Sequence, residues 1–240
     1  KRDKINFQIL KLIDKNKKAL QKLINKETLG ISVSSWWIFK ESEISLFPKK
    51  KLINIHGAFL PSFAGRGGKS WQILTNETLS GLTIHLIDKT IDRGRVLFQS
   101  SYKFPKRTFD SLKQTHEFAY NQEAKIIKNF FRLILNRKDF YPRINSNLKE
   151  NKDCYWPKLN AKTNAWINWN WSAIDICKFV NAFGDPYDEA KTLLEKRIIK
   201  IKSAKLANSK LNFHPFQNGL IYKINKNNIF VACSGGGIIL

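Results

Sequence analysis

The hydrophobic residues of this chain change their spacing several times, and each spacing predicts a different element. Over residues 4–26, apolar residues recur every three or four positions with lysines between them, which predicts an amphipathic helix or two short ones. The same periodicity over 108–138 predicts the longest helix of the chain. Apolar and β-branched runs predict strands at 52–56, 81–87 and 96–100, and a strand that runs into a loop at 31–39. Alternating helix and strand signals indicate an α/β domain with a parallel-rich sheet.

The character of the sequence changes after a polar stretch. Residues 145–153 are polar and predict a linker, and the chain that follows is rich in Trp. A helix is predicted at 172–182, followed by short strands at 198–201, 220–224 and 229–232. We therefore expect two parts, a larger α/β domain over 1–150 and a small β-rich C-terminal subdomain over 151–240.

Composition limits the classes of partner and the cellular compartment that we expect. The 240 residues include 42 Lys and Arg against 19 Asp and Glu, which gives a formal net charge of +23. Such a charge attracts nucleic acid, nucleotides or membrane surfaces, although a solvated surface rich in Lys, Asn and Ile explains it equally well. Three widely separated cysteines fit neither a disulfide framework nor a zinc site. No apolar run approaches the roughly 20 residues of a membrane span, so we expect a cytoplasmic protein without metal or membrane association.

Three polar side chains stand where chemistry is expected. Asn54 and His56 lie two residues apart at the end of the 52–56 strand, so the strand period of two points both to the same side. Asp92 lies in a later loop between two predicted strands. An amide, an imidazole and a carboxylate are groups that proton transfer at an acyl centre needs. By itself, Asn-x-His is also explained by a histidine bound to backbone at a strand end. The other histidines have no partner at catalytic spacing and are interpreted as structural or exposed: His85, His116 and His214.

Together these motifs resemble the formyltransferase family that uses 10-formyltetrahydrofolate, which includes methionyl-tRNA, glycinamide-ribonucleotide and sugar N-formyltransferases. The family pattern joins Asn-x-His, a Leu-Pro loop, a glycine turn and a later Asp loop. In this chain it reads Asn54-Ile55-His56, Phe59-Leu60-Pro61, Gly65, Trp71, Gly81-Leu82-Thr83-Ile84 and Asp88-Lys89-Thr90-Ile91-Asp92-Arg93-Gly94. The likeness continues through Tyr155-Trp156-Pro157-Lys158 and Asp185-Pro186-Tyr187, so it covers nearly the whole chain. It implies a Rossmann-like formyltransferase domain.

The resemblance also implies an activity, the transfer of a formyl group from 10-formyltetrahydrofolate to a primary amine. Asn54, His56 and Asp92 match the catalytic positions of the family. His56 would accept the amine proton, Asp92 would orient or support it, and Asn54 would donate to the developing oxyanion. The glycine-rich turn with Arg66 and Lys69 is a candidate cradle for an acceptor phosphate. The positions expected to bind the folate are Ser35, Trp36, Trp37, Ile38, Ile87 and Asp88.

The chain departs from the family pattern at several positions. Thr90 stands where Gly is usual, Arg93 where Thr or Ser is usual, and Ala64 where many members have Arg. The opening strand–helix–strand of the family is mostly absent and the chain contains no Met, so we expect that its start is missing.

The acceptor is the least constrained part of the prediction. A nucleotide-linked amino sugar is preferred, because the part after Trp169 is short. Methionyl-tRNA is the alternative, and a non-catalytic folate or nucleotide binder is a second alternative. A nucleic-acid partner arises only under the tRNA alternative, and a homodimer is left open.

Overall fold

The computed structural model describes residues 17–35, 37–135, 154–208 and 211–240. The N-terminal part contains, in chain order, α1 (Lys17–Leu23), β1 (Gly30–Val33), α2 (Glu41–Ile44), β2 (Leu52–His56), β3 (Ala64–Gly65), α3 (Gly68–Thr75), β4 (Leu79–Leu86), β5 (Val96–Lys103), a 3-10 helix (Lys106–Asp110) and α4 (Leu112–Leu135). The C-terminal part contains β6 (Tyr155–Trp156), α5 (Ala161–Asn164), α6 (Ala173–Ala182), β7 (Ala190–Leu194), β8 (Arg197–Ile201), β9 (Lys205–Leu206), a 3-10 helix (Pro215–Gln217), β10 (Ile221–Ile224), β11 (Ile229–Cys233) and β12 (Gly236–Ile239). Positions 4–16 of the first predicted helix, Trp36 and the predicted linker at 145–153 lie outside the described residues.

A four-stranded sheet in the order β1-β2-β4-β5 forms the centre of the N-terminal part. β1 runs parallel to β2, whereas β2 pairs with β4, and β4 with β5, in the antiparallel sense. The α/β class is confirmed, and the sheet contains the expected parallel pairing, but within the described residues it is mixed rather than parallel-rich. One reason lies in the loop 87–95, which joins β4 to β5 and is shorter than the crossover that a parallel connection needs.

Helix α4 packs on the sheet and closes one hydrophobic core. Ile53 of β2 and Ile84 of β4 are fully buried in one cluster with Ile126 and Phe130 of α4. Ile126 and Phe130 are four residues apart, so they lie on the same face of the helix. Burial of each such side chain contributes roughly 1.5–3 kcal/mol, which makes this contact a main source of stability for the sheet.

A second core joins the two parts of the chain. Ile176 and Val180 of α6 are buried in one cluster with Ile73 of α3 and Phe104, which follows β5. The C-terminal strands form a four-stranded sheet in the order β10-β11-β12-β9 and a hairpin of β7 and β8. The β-rich character of this part is confirmed, and β7, β9 and β12 add to the predicted strands. The domain boundary at 150/151 stays a prediction.

Two local features place the loops around the sheet. α3 begins at Gly68 after Gly67, and Ser70 is buried inside the helix. The segment 31–39, predicted as a strand that runs into a loop, is a strand as far as Val33, because Ser34 adopts a left-handed φ of 50° and leaves the extended conformation. Among the helices of the described residues, none is long and apolar enough to span a bilayer.

The core position of Ile53 generates a stability prediction. Ile53→Ala removes a fully buried side chain and leaves a cavity, so the free energy of unfolding is expected to fall by about 2–5 kcal/mol. Ile198→Ala is a matched control, because Ile198 is 59% exposed on β8, and it should cost about 1 kcal/mol or less. Denaturant titration measures both variants. Equal losses would contradict the assigned core.

Candidate active site

Asn54 and His56 lie on strand β2, at one edge of the sheet. Both side chains are half-buried, whereas Ile53 and Ile55, which alternate with them, are buried in the core. This alternation is the strand period of two, so the amide and the imidazole share one side of β2. His56 is the last residue of the strand, and the chain turns away at Gly57.

Asp92 reaches the same edge from the loop 87–95. Its backbone is left-handed, with φ of 54°, a conformation that Asp tolerates better than most residues. Its Oδ2 accepts a 2.9 Å hydrogen bond from Gly65 N–H. Its Oδ1 lies 3.6 Å from His56 Nδ1 and 3.6 Å from His85 Nε2. The structure therefore brings Asn54, His56 and Asp92 together and adds a second histidine.

The position of Gly65 requires a glycine. Its φ is 103°, and a Cβ there would lie 2.2 Å from the carbonyl oxygen of Trp156. This close approach arises because β3 pairs with β6, Ala64 opposite Tyr155 and Gly65 opposite Trp156. The C-terminal part thus holds in place the N–H that binds Asp92.

The hydrogen bonds of His56 determine which of its nitrogens is basic. Nε2 lies 2.8 Å from the carbonyl oxygen of Phe63, which can only accept, so Nε2 carries a proton. In the neutral ring the lone pair is therefore on Nδ1, facing Asp92. Burial lowers the pKa of His56 from 6.5, and the negative charge of Asp92 and the bond to Phe63 offset this only in part. The ring is neutral at neutral pH and can accept a proton at Nδ1.

Asp92 stays ionised despite its partial burial. Burial alone would raise its pKa, but contacts with His85, His56 and the Gly65 N–H outweigh this effect, and the net pKa is lowered. A carboxylate beside Nδ1 of His56 stabilises the imidazolium that forms when the ring takes up a proton.

His85 is the residue that the sequence interpretation missed. It lies opposite Asn54 in the pairing of β2 with β4, and it is buried. Its Nδ1 donates to Leu86 O at 2.8 Å, so Nε2 of the neutral ring can accept from Asn54 Nδ2 at 3.1 Å. His85 therefore fixes the amide of Asn54. No sequence signal identifies it, because the partner of Asn54 depends on the register of two strands far apart in the chain.

A cleft of about 1320 Å³ opens in front of these side chains. The predicted folate positions on its wall, apart from Trp36, which lies outside the described residues, are Ser35, Trp37, Ile38, Ile87 and Asp88. The Trp37 indole N–H donates to Glu43 at 3.0 Å, which fixes its ring against α2. Asp88 accepts from the backbone N–H of Thr90 at 2.8 Å and shapes the loop that ends at Asp92.

The two predicted phosphate-binding residues have different environments. Arg66 lines the cleft, next to Gly65 and Gly67. Lys69 is buried and does not line the cleft, and its ammonium group donates to Gly57 O, Tyr102 Oη and Glu123 Oε1 at 2.7, 3.0 and 2.9 Å. These three acceptors use all three N–H donors of a lysine. The phosphate-binding role predicted for Lys69 is therefore wrong, because a Gly-rich turn does not reveal which way its cation points.

The far side of the cleft is formed by residues that the sequence interpretation did not single out. Tyr120 of α4 and Tyr187, which follows α6, line it with exposures of 60% and 59%. The His116 ring lies between them, with centroids 5.5 Å from Tyr120 and 6.2 Å from Tyr187. Lys158 and Lys162 line the same cleft. Aromatic and basic groups thus face the space that continues from the Asn54–His56–Asp92 edge.

Comparison with known proteins gives a consistent picture. The family described as "Formyl transferase" matches residues 12–127, and the family described as "Formyl transferase, C-terminal domain" matches residues 160–240.

Within the described ranges, no group of three metal-ligating side chains is arranged to hold a metal ion.

Relatives are found by sequence and by structure. The chain is 31% identical over 214 residues to a methionyl-tRNA formyltransferase of Blochmanniella floridana, covering 88% of this chain and 64% of the relative. It is 28% identical over 200 residues to the methionyl-tRNA formyltransferase of Desulforamulus reducens, covering 83% and 60%. It thus spans slightly less than two thirds of the length of these curated relatives.

The fold is shared with a Helicobacter canadensis N-formyltransferase solved with folinic acid and dTDP-3-aminofucose. The TM-score is 0.67 at 23% identity, covering 90% of this chain and 74% of the other. A 4-N formyltransferase from Francisella tularensis gives 0.59 at 24% identity, covering 79% and 76%. The two matched family regions, together with these relatives, show that this chain belongs to the formyl transferase family.

Proposed function

We propose that the protein transfers a formyl group from 10-formyltetrahydrofolate to a primary amine. The observation that carries the proposal is the convergence of Asn54, His56 and Asp92 on one cleft, with a neutral imidazole beside an ionised carboxylate. Formyl transfer requires a neutral amine, a place for its proton and a donor for the carbonyl oxygen. The three side chains supply the last two.

His56 takes the proton that the attacking amine loses. The basic atom is Nδ1, because Nε2–H is bound to Phe63 O. The proton reaches Nδ1 directly or through one water, and the imidazolium is then stabilised by Asp92 Oδ1, 3.6 Å away. A positioned base of this kind contributes on the order of 10²–10⁴ in rate.

Asn54 stabilises the charge that develops on the formyl oxygen. Its amide has two N–H bonds, and one of them meets His85 Nε2 at 3.1 Å. That contact fixes the amide plane and leaves the second N–H for the oxyanion. Loss of a single oxyanion donor typically costs about 3–4 kcal/mol of transition-state stabilisation. In this role His85 positions Asn54 and does not itself touch the substrate.

The folate is proposed to bind along the loops 34–39 and 87–92. Both loops line the cleft next to His56 and Asp92. Irregular backbone at the end of strands leaves N–H and C=O groups for a planar hydrogen-bonding ring, and Trp37 and Ile38 add apolar surface. The H. canadensis protein of the same fold, solved with folinic acid, supports this choice of formyl donor.

A nucleotide-linked amino sugar is the acceptor that we propose first. Tyr120 and Tyr187 offer flat surfaces for a base, and Lys158, Lys162 and Arg66 offer positive charge near a diphosphate. The H. canadensis protein was solved with dTDP-3-aminofucose, an acceptor of this class. Methionyl-tRNA is the second candidate, favoured by 31% identity to the B. floridana enzyme and by the net charge of +23.

Replacement of either catalytic side chain generates a prediction about turnover. His56→Ala and Asp92→Asn should each lower kcat by about 10²-fold or more, because each acts on proton movement. The dissociation constant for the folate should change little. Rates of amine formylation and folate titrations measure the two effects. His214→Ala, at an exposed histidine, is the control, and near-normal turnover of His56→Ala would refute its role.

The pKa shifts generate a prediction about pH dependence. Burial lowers the pKa of His56, so kcat/KM should fall on acidification with a midpoint below 6.5. Asp92 raises the pKa of His56, so Asp92→Asn should move that midpoint further down while the maximal rate falls. Asp110→Asn removes an exposed carboxylate and should leave the midpoint unchanged. An upward shift in Asp92→Asn would contradict the proposed pairing.

Salt dependence separates the two acceptors. A tRNA is held through many phosphates, so its apparent affinity should fall steeply on a log–log salt plot. A nucleotide sugar presents only a diphosphate, so its slope should be shallow despite the net charge of the protein. We expect turnover of the sugar with a shallow slope in initial-rate series with both acceptors. Turnover of methionyl-tRNA alone, with a steep slope, would overturn the sugar proposal.

A further inference from the structure

A buried ion pair lies directly behind the loop that follows His56. Lys69 Nζ and Glu123 Oε1 are 2.9 Å apart, with side-chain exposures of 8% and 11%. Lys69 comes from α3 and Glu123 from α4, so the pair connects two helices. Burying two charges costs hydration, and an apolar pair of similar size is often as stable or more stable. Stability alone is therefore a poor explanation for this pair.

The pair contacts Gly57, the residue that adjoins His56. Lys69 Nζ donates to Gly57 O at 2.7 Å. On another side, a Cβ on Gly57 would lie 3.2 Å from both carboxylate oxygens of Glu123, so the carboxylate packs closely against the Gly57 Cα. One ion pair thereby fixes two atoms of Gly57.

Tyr102 forms hydrogen bonds with both members of the ion pair. Its hydroxyl accepts from Lys69 Nζ at 3.0 Å and donates to Glu123 Oε1 at 2.9 Å. Burial and the charge of Glu123 raise the pKa of Tyr102, so the hydroxyl keeps its proton. Two further titratable groups lie near the pair: burial lowers the pKa of His116 and raises the pKa of Tyr120. Lysine, glutamate and tyrosine thus form a closed triangle under Gly57.

We propose that Lys69 and Glu123 are positioning residues for His56 and act through Gly57. This inference rests on the proposed function, in which Nδ1 of His56 takes the acceptor proton. The imidazole is held at its ring by Phe63 O, and its backbone is held at Gly57 by the ion pair. Further along the loop, the Thr83 hydroxyl donates to Ala58 O and accepts from Leu60 N–H. Thr83 therefore holds the later part of the loop, whereas the ion pair holds Gly57, the residue next to His56.

The central test separates stability from positioning. In the double variant Lys69→Met/Glu123→Leu, apolar side chains replace both charges, but the Tyr102 hydroxyl and Gly57 O lose these partners, so Tm should fall by less than in Lys69→Met alone. Because a displacement of about 1 Å can cost 10²-fold in rate, kcat should fall by about 10- to 100-fold. KM for the folate should stay within about threefold, since no folate-binding loop is altered. Lys178→Met, which breaks a partly exposed ion pair with Asp175, is the matched control and should change neither Tm nor kcat.

Single variants sharpen the comparison. Lys69→Met alone leaves Glu123 buried without its cation, so both Tm and kcat should fall, and adding Glu123→Leu should raise Tm again but not kcat. Recovery of both in the double variant would overturn the proposal, because it is the result expected of a purely structural pair. Should the double variant not fold, Gly57→Ala applies the same test by placing a methyl 3.2 Å from the Glu123 oxygens. Unchanged kcat in Gly57→Ala would likewise overturn the proposal.

A substrate-free measurement keeps this inference separate from the proposed function. The Nε2–H proton of His56, bound to Phe63 O at 2.8 Å, should give a slowly exchanging NMR signal, assigned by its loss in His56→Ala. The signal should persist in Lys178→Met and exchange faster in the double variant and in Gly57→Ala. Unchanged exchange in both would overturn the positioning role. If the wild-type protein formylates no amine, the proposed function fails, and this measurement still decides whether the pair positions His56.

Discussion

The site depends on one partly buried carboxylate. Asp92 is held by a backbone N–H from β3 and lies beside imidazoles from β2 and β4, so three separate elements meet at its two oxygens. Without these contacts, burial would raise the pKa of Asp92 and favour the neutral acid. The same contacts keep it ionised, and an ionised Asp92 is what stabilises a proton on Nδ1 of His56. The contacts that place Asp92 therefore also determine how strongly His56 binds a proton.

The C-terminal part helps to place Asp92 through backbone contacts. β6 pairs with β3 and forces the conformation of Gly65, whose N–H binds Asp92. Trp156 strengthens the junction, because its indole N–H donates to Ser62 O at 2.8 Å and its ring packs against Phe63 and Trp71. Phe63 in turn accepts the hydrogen bond from His56. The site thus lies at a junction of the two parts, and its polar groups are ordered by contacts from both.

The net surface charge and the charges at the site have different effects in this protein. The net charge of +23 is a property of the whole surface and bears on the encounter with anionic substrates. At the site, the relevant charges are few and largely shielded from solvent: Asp92 lies beside two imidazoles, and Glu123 is paired with Lys69. Salt screens the first kind of interaction strongly and the second kind much less. The proposed chemistry is therefore separable from the attraction that brings the acceptor to the cleft.

The sequence by itself determined the α/β class, the bounds of β2 and the formyltransferase pattern that contains Asn54, His56 and Asp92. These features are local, because strand alternation places Asn54 and His56 together and short motifs carry the family resemblance. Tertiary structure decided the surroundings of His85 and Lys69. His85 meets Asn54 only through the register of β2 with β4, and Lys69 turns into the core only because Glu123, 54 residues further along the chain, accepts its charge there. It also made the sheet mixed, since strand direction is set by how connections close and not by the pattern within a strand. Contacts between residues distant in sequence depend on packing and register, which no local pattern contains.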